Sequence, residues 1–112
     1  IEKACQYLFF KQWNNLKNEA NRRGIMILGD MPIFVAADGA DAWMNRALFH
    51  WDKWGNPSPV SGAPPDPFSP VGQHWGNPLY NWEEHQRTGF AWWLKRFEAE
   101  MKLADNSFYK LW

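Results

Sequence analysis

Three features of the sequence predict an α/β fold: an apolar stripe at helical spacing over residues 4–22, a short apolar run directly after a glycine, and a second helical stripe over residues 90–104. The first stripe is Phe9, Phe10, Trp13, Leu16 and Ala20, with Lys11, Asn14, Asn15, Lys17, Asn18 and Arg22 on the opposite face. Arg22 and Arg23 complement the negative end of the helix dipole, and Gly24 supplies the left-handed residue that ends it. Ile25, Met26, Ile27 and Leu28 follow without alternation, the pattern of a strand covered on both faces in a parallel sheet. Asp30 then stands at the strand's C-terminal end, where parallel α/β folds gather their ligand sites. Two readings of Asp30 are open at this point, a functional carboxylate or an aspartate that caps the Met31-Pro32 turn.

Further along, Asp38 or Asp41 is expected to cap a short helix through Ala42, Trp43 and Met44. Leu48 to Pro57 reads as a small hairpin or turn around Asp52-Lys53-Trp54-Gly55-Asn56. From Gly55 to Pro78 the chain holds seven of its eight prolines, all but Pro32, and Asp66 is the only charged residue. This predicts a long stiff loop, and loops of that length inside a domain are mostly functional. Asn81 is expected to cap a short turn through Trp82, Glu83 and Glu84, with Gly89 before the next element. Phe90, Trp93, Leu94, Phe97, Met101 and Ala104 form the second amphipathic helix, aided by Glu98 and Lys102 four residues apart and expected to pack on a sheet. Phe108, Tyr109, Leu111 and Trp112 then approach a further strand.

Composition narrows the function classes. Twelve basic and twelve acidic residues give a formal net charge of zero, which supplies no field for a phosphate backbone or an anionic membrane. No apolar run nears the roughly 20 residues of a membrane span. Cys5 is the single cysteine and closes no internal disulfide, which points to a reducing, cytoplasmic compartment. With 18% aromatic and 21% charged residues the chain is globular rather than disordered. It begins at Ile1 and ends on Leu111-Trp112, so a piece of a larger domain, cut at both ends, is expected.

The chemistry-bearing residues are few. His50, His74 and His85 lack metal-ligand spacing, and no phosphate loop, dinucleotide fingerprint or nucleophile elbow is present. Neither metal nor cofactor is expected. Asp66, between Pro65 and Pro67, either binds a hydroxyl or locks its loop by accepting backbone N–H bonds. Trp75, with Gln73 and Asn77 two residues to either side, has the composition of a sugar platform, a flat ring beside amides that bond hydroxyls. The competing reading is a tryptophan that pins the loop. Trp92 and Trp93 read as helix packing, whereas Trp51 and Trp54 either cover the turn or line an approach to the site.

Taken in order, Gly29-Asp30-Met31-Pro32-Ile33-Phe34-Val35 with Ala40-Asp41-Ala42-Trp43, then Pro64-Pro65-Asp66 to Phe68-Ser69, then Gly72-Gln73-His74-Trp75-Gly76-Asn77-Pro78-Leu79-Tyr80, resemble the amylomaltases. These are the 4-alpha-glucanotransferases of glycoside hydrolase family 77. Phe9 to Trp13, and Gly89-Phe90 with Trp92-Trp93, extend the likeness over nearly the whole chain. The resemblance implies a fragment of a (β/α)8 barrel: a helix, the third barrel strand, a long active-site βα loop over residues 36–82, and the following helix. It implies transfer of α-1,4-glucan segments between maltooligosaccharides or starch-like glucans by a retaining double displacement. It also implies that the nucleophile, in an Arg-x-Asp-His-Phe-Arg motif, and the general acid lie after Trp112, so that the fragment alone is inactive. Asp30 matches the family's supporting aspartate at the end of the third strand, and Asp66, Phe68, Gln73, Trp75 and Asn77 match the active-site loop that positions substrate. Departures fall at Pro67, where many members have tyrosine or alanine, at Gly39, where serine is common, and at Ala37, where histidine or glutamate is frequent. Proline at position 67 removes one stacking surface. A barrel segment that keeps the aromatic loop without the acids, a carbohydrate-binding protein, is the alternative.

Overall fold

The computed structural model describes residues 1–108, and the expected contribution of Tyr109, Leu111 and Trp112 to a strand lies outside them. The chain is mixed helix and strand and divides into two compact units, residues 1–31 with 93–112 and residues 32–92. The first unit begins with α1, Glu2–Arg22. Arg23 closes the helix and Gly24 takes φ +74°, the left-handed turn that redirects the chain. β1 is Leu28–Asp30, and it pairs in parallel with β4, Asn106–Phe108, in the register Leu28 to Asn106 and Asp30 to Phe108.

The predicted strand over Ile25–Leu28 is therefore displaced toward the C-terminus, for a reason visible in its hydrogen bonds. Ile25 is held by the helix end, donating to the Ala20 carbonyl and accepting from the Asn21 amide. Ile27 is bound through both backbone groups to Asp105: its N–H donates to the carboxylate at 2.8 Å and its carbonyl accepts from the Asp105 N–H at 2.9 Å. A strand ladder can start only beyond them. The expectation of burial on both faces is also corrected within these residues, because Ile25, Met26 and Leu28 are 56%, 76% and 58% exposed.

Asp105 is the polar hub of this unit. The Ile27 N–H, then the Asn21 amide, then Lys17 at 3.5 Å hold its carboxyl below the ordinary aspartate range. α4, Ala91–Leu103, leads into β4, and its last turn is bonded to α1: the Trp13 Nε1–H donates to the Leu103 carbonyl at 2.7 Å and Lys17 to that of Lys102 at 3.2 Å. These two bonds tie the C-terminal turn of α4 to α1.

The second unit contains α2 (Ala40–Met44), a 3₁₀ turn over Arg46–Leu48, β2 (Val60–Ala63), β3 (Gln73–Pro78) and α3 (Trp82–Arg87). Neither Asp38 nor Asp41 caps α2. The N-cap is Gly39, without a side-chain bond, and Asp41 lies inside the first turn, where its charge suits the helix dipole. The turn at Asp52 is present: its carboxylate accepts from the N–H groups of Trp54 and Asn56, and Trp51 bridges to Pro57. Trp51 covers this turn, donating to the Arg46 carbonyl at 2.8 Å under the Arg46 guanidinium, whereas Trp54 is 75% exposed. Asn81 caps α3 as its sequence predicts, accepting from the Glu84 N–H. Much of the expected loop is instead an antiparallel hairpin of β2 and β3.

The core of this unit is aromatic. Phe49 and Tyr80 face each other across an antiparallel bridge with ring centroids 5.1 Å apart, and Phe34, Trp82, His85 and Trp92 surround Tyr80. His85 is fully buried and donates from Nε2 to the Leu48 carbonyl at 3.1 Å. Burial lowers its proton affinity below the ordinary histidine value, against the smaller opposing effects of the Leu48 carbonyl and Glu84. The unfolded chain consequently binds the proton first as pH falls, so the stability held at neutral pH is lost once pH drops through about 6.5 toward the lower folded value. His85→Gln is expected to flatten the slope of unfolding free energy against pH between about 5 and 7. A slope unchanged by the substitution would assign the titration to another group.

Candidate functional site

Asp30 ends β1 with its backbone fixed by the parallel pairing to Phe108. It is exposed, and among the described residues its carboxylate takes no hydrogen bond or ion pair, so the turn-capping reading finds no bond at Met31-Pro32. The carboxylate is presented to solvent. It belongs to the first unit, whereas the other predicted site residues belong to the second.

Those others are built on the β2–β3 hairpin. Its strands approach at Gly62 so closely that a Cβ there would stand 2.2 Å from the Gln73 carbonyl oxygen, and only glycine fits. The register slips between Val60 and Gly62, leaving extra residues on β3 around Gly76. Gln73 and Trp75 project to one side, since the Trp75 Nε1–H donates to Gln73 Oε1 at 2.9 Å. That bond fixes the indole and leaves the Gln73 NH₂ as a donor. The Trp75 ring also rests edge-on against Phe34, with centroids 6.0 Å apart, yet stays 42% exposed. Both readings of Trp75 therefore hold in part: one edge pins the hairpin and the remaining surface is open.

Asn77 lies deeper on β3. Its Nδ2 donates to the Val35 carbonyl at 2.9 Å and its Oδ1 accepts from the Ser61 hydroxyl at 3.2 Å. Both ends of the amide are thus engaged inside the unit. Asp66 does what the loop-lock reading predicts: Oδ1 accepts from the N–H groups of Phe68 at 2.8 Å and Ser69 at 2.6 Å, while the Asp66 and Ser69 backbones bond each other in both directions. The Ser69 hydroxyl closes the turn on the Gly72 carbonyl at 2.8 Å. This rigid turn carries Phe68, 96% exposed, as a bare aromatic face.

The hairpin brings together Gln73, Trp75 and Asn77 on one strand and Asp66 with Phe68 on one turn. Phe34 and Ser61 support them without having been singled out in the sequence. Phe34 lies in the Gly29–Val35 motif but reads there as part of an apolar run, and Ser61 is a lone hydroxyl in Val-Ser-Gly-Ala, so neither shows its supporting contact locally. An exposed indole, an exposed phenyl ring and free amide hydrogens suit a ligand with flat apolar faces and many hydroxyls. Among the described residues no three His, Cys, Asp or Glu side chains converge as a metal site, and no helix is long and apolar enough to cross a membrane.

Comparison with known proteins decides the family. The family model described as 4-alpha-glucanotransferase, glycoside hydrolase family 77, matches residues 1–107. The chain belongs to this family. The matched span of the 4-alpha-glucanotransferase family takes in Asp30 and the whole hairpin. Relatives include the 4-alpha-glucanotransferases of Thermus thermophilus, 53% identical over 98 residues that cover 88% of this chain and 20% of that protein, and of Aquifex aeolicus, 50% identical over 100 residues, with 89% and 21% covered. Among solved structures, an amylomaltase from Streptococcus agalactiae in complex with acarbose superposes with a TM-score of 0.89 at 45% identity, over 94% of this chain and 21% of that one. The chain thus spans about a fifth of the length of these relatives.

Proposed function

We propose that this chain is the loop-bearing part of a (β/α)8 barrel in a 4-alpha-glucanotransferase, which moves α-1,4-glucan segments between maltooligosaccharides or starch-like glucans. Within the family assignment, the observation that carries the proposal is the Gln73–Trp75 pair, an exposed indole locked by an amide that keeps free hydrogens, on a strand of its own. The barrel is supported by the parallel pairing of β1 with β4, the strand that follows α4, because such a pair needs a crossover connection.

In this reading the reaction is a retaining double displacement. A carboxylate supplied from outside residues 1–108 attacks the anomeric carbon and the shortened glucan leaves with a proton from the general acid. The 4-hydroxyl of an acceptor glucan, or water, then takes the glycosyl group from the enzyme. This chain supplies neither nucleophile nor acid and is inactive by itself. Asp30 supports the reacting sugar through hydroxyl hydrogen bonds, which its unpaired carboxylate is free to accept. Phe68 and Trp75 stack on sugar faces, Gln73 donates to a hydroxyl, and Asp66 and Asn77 hold the surfaces that do so. An acceptor bound on this platform outcompetes water by being positioned. The compartment is the cytoplasm, where the exposed thiol of Cys5 stays reduced.

The test is to incubate the full-length protein with maltotriose and resolve products by chain length over time. Glucose with a ladder of longer oligosaccharides is expected. Glucose and maltose without longer products would mean hydrolysis, and no turnover would mean a carbohydrate-binding barrel.

A further inference from the structure

The hairpin that carries Gln73 and Trp75 is exposed along most of β3, from Gln73 to Gly76. Apart from the Trp75 edge on Phe34 and the buried Pro78 at its end, core packing does little to fix its direction. Where the hairpin meets the interior, one polar bridge crosses it: the Ser61 hydroxyl on β2 donates to Asn77 Oδ1 on β3, and Asn77 Nδ2 donates to the buried Val35. Ser61 is only 2% exposed, so its hydroxyl has no water to turn to and the bond is made away from solvent competition.

We infer that Ser61 is a positioning residue for the acceptor, acting through Asn77 to hold the Gln73–Trp75 platform against the Val35 segment. The inference rests on the transferase reading. Of the residues in the bridge, Asn77 alone touches both the second strand and the Val35 segment, and without the Ser61 hydroxyl its carbonyl oxygen loses a donor it needs for a single orientation. A platform free to swing must be ordered each time an acceptor binds, which raises the acceptor concentration required. Water needs no platform, so hydrolysis of the glycosyl-enzyme is unaffected. The consequence is a changed partition between acceptor and water rather than slower cleavage of the donor.

The experiment uses full-length protein, wild type and Ser61→Ala, with maltotriose. Ser61→Ala removes one oxygen and introduces no bulk. Expected is a fall of about five- to tenfold in the ratio of transfer to hydrolysis, the factor that one buried hydrogen bond of ordinary strength supplies, and a matching rise in acceptor KM. Glucose release in the first turnover, which reports cleavage of the donor alone, stays within about twofold of wild type. Amide hydrogen exchange, measured on the same proteins, is expected to quicken over residues 73–77 and to stay unchanged around Tyr80. An unchanged partition overturns the inference even where exchange quickens, because the bond would then be structural only. Quickened exchange throughout residues 32–92 overturns it as well, as general destabilisation. A wild-type protein that makes no longer oligosaccharides sinks the transferase reading first and the acceptor role with it, whereas failure of Ser61→Ala alone leaves that reading standing.

Discussion

Tyr80→Ala destabilises the full-length protein by about 3–5 kcal/mol, the cost of removing a large aromatic side chain from a packed interior. Tyr80 is 4% exposed and its ring lies 5.1 Å from those of Phe49 and Trp82, 5.4 Å from His85 and 5.7 Å from Trp92. Its hydroxyl donates to the Ile33 carbonyl, so one side chain joins the segment after β1 to the start of α3. The alanine variant loses both the ring contacts and that tie. Tyr80→Phe keeps the ring and loses only the hydroxyl, and is expected to cost about 1–2 kcal/mol, because the Ile33 carbonyl is left without this donor. Equilibrium unfolding in denaturant, followed by tryptophan fluorescence, reads both variants. A cost for Tyr80→Ala no greater than that for Tyr80→Phe would show that the ring cluster contributes little and that the hydroxyl is what holds the unit.

The two long helices were legible because a 3.6-residue period survives in any environment, and the Asn81 cap because its partner is only three residues away. The hairpin was not. β2 is four residues and β3 six, neither alternates, and the proline and glycine content reads as loop. What makes them strands is a close approach at Gly62 that no local pattern encodes. Ile25–Leu28 misled for a related reason: the apolar run is real, but Asp105, 78 residues from Ile27, takes its backbone groups and moves the ladder forward. In the candidate site, the closeness of Gln73 and Asn77 to Trp75 in sequence singled them out, and the Gln73–Trp75 bond lies within that reach. The partners of Asn77 lie 16 and 42 residues away, so its engagement with Ser61 and Val35 required the fold.

On the proposed transferase reading, Trp75→Ala in the full-length protein is expected to reduce the kcat/KM for acceptor by about 30-fold, the factor corresponding to about 2 kcal/mol for a tryptophan that a bound ligand stacks on. Its effect on unfolding should be smaller, since the ring is 42% exposed and is held by the Phe34 edge and the Gln73 amide. Trp75→Phe separates the two contributions of the indole. A phenyl ring keeps a stacking face but has no N–H for Gln73, so the amide is freed to rotate and the loss should be intermediate. The comparison is made by measuring transfer at varied acceptor concentration alongside thermal unfolding of each variant. If Trp75→Ala lowers stability as much as Tyr80→Ala while acceptor kinetics hold, the tryptophan is a pin and the platform must be sought at Phe68. If kinetics fall and stability holds, the open face of the indole is what the acceptor uses, and the edge against Phe34 serves to keep that face in place.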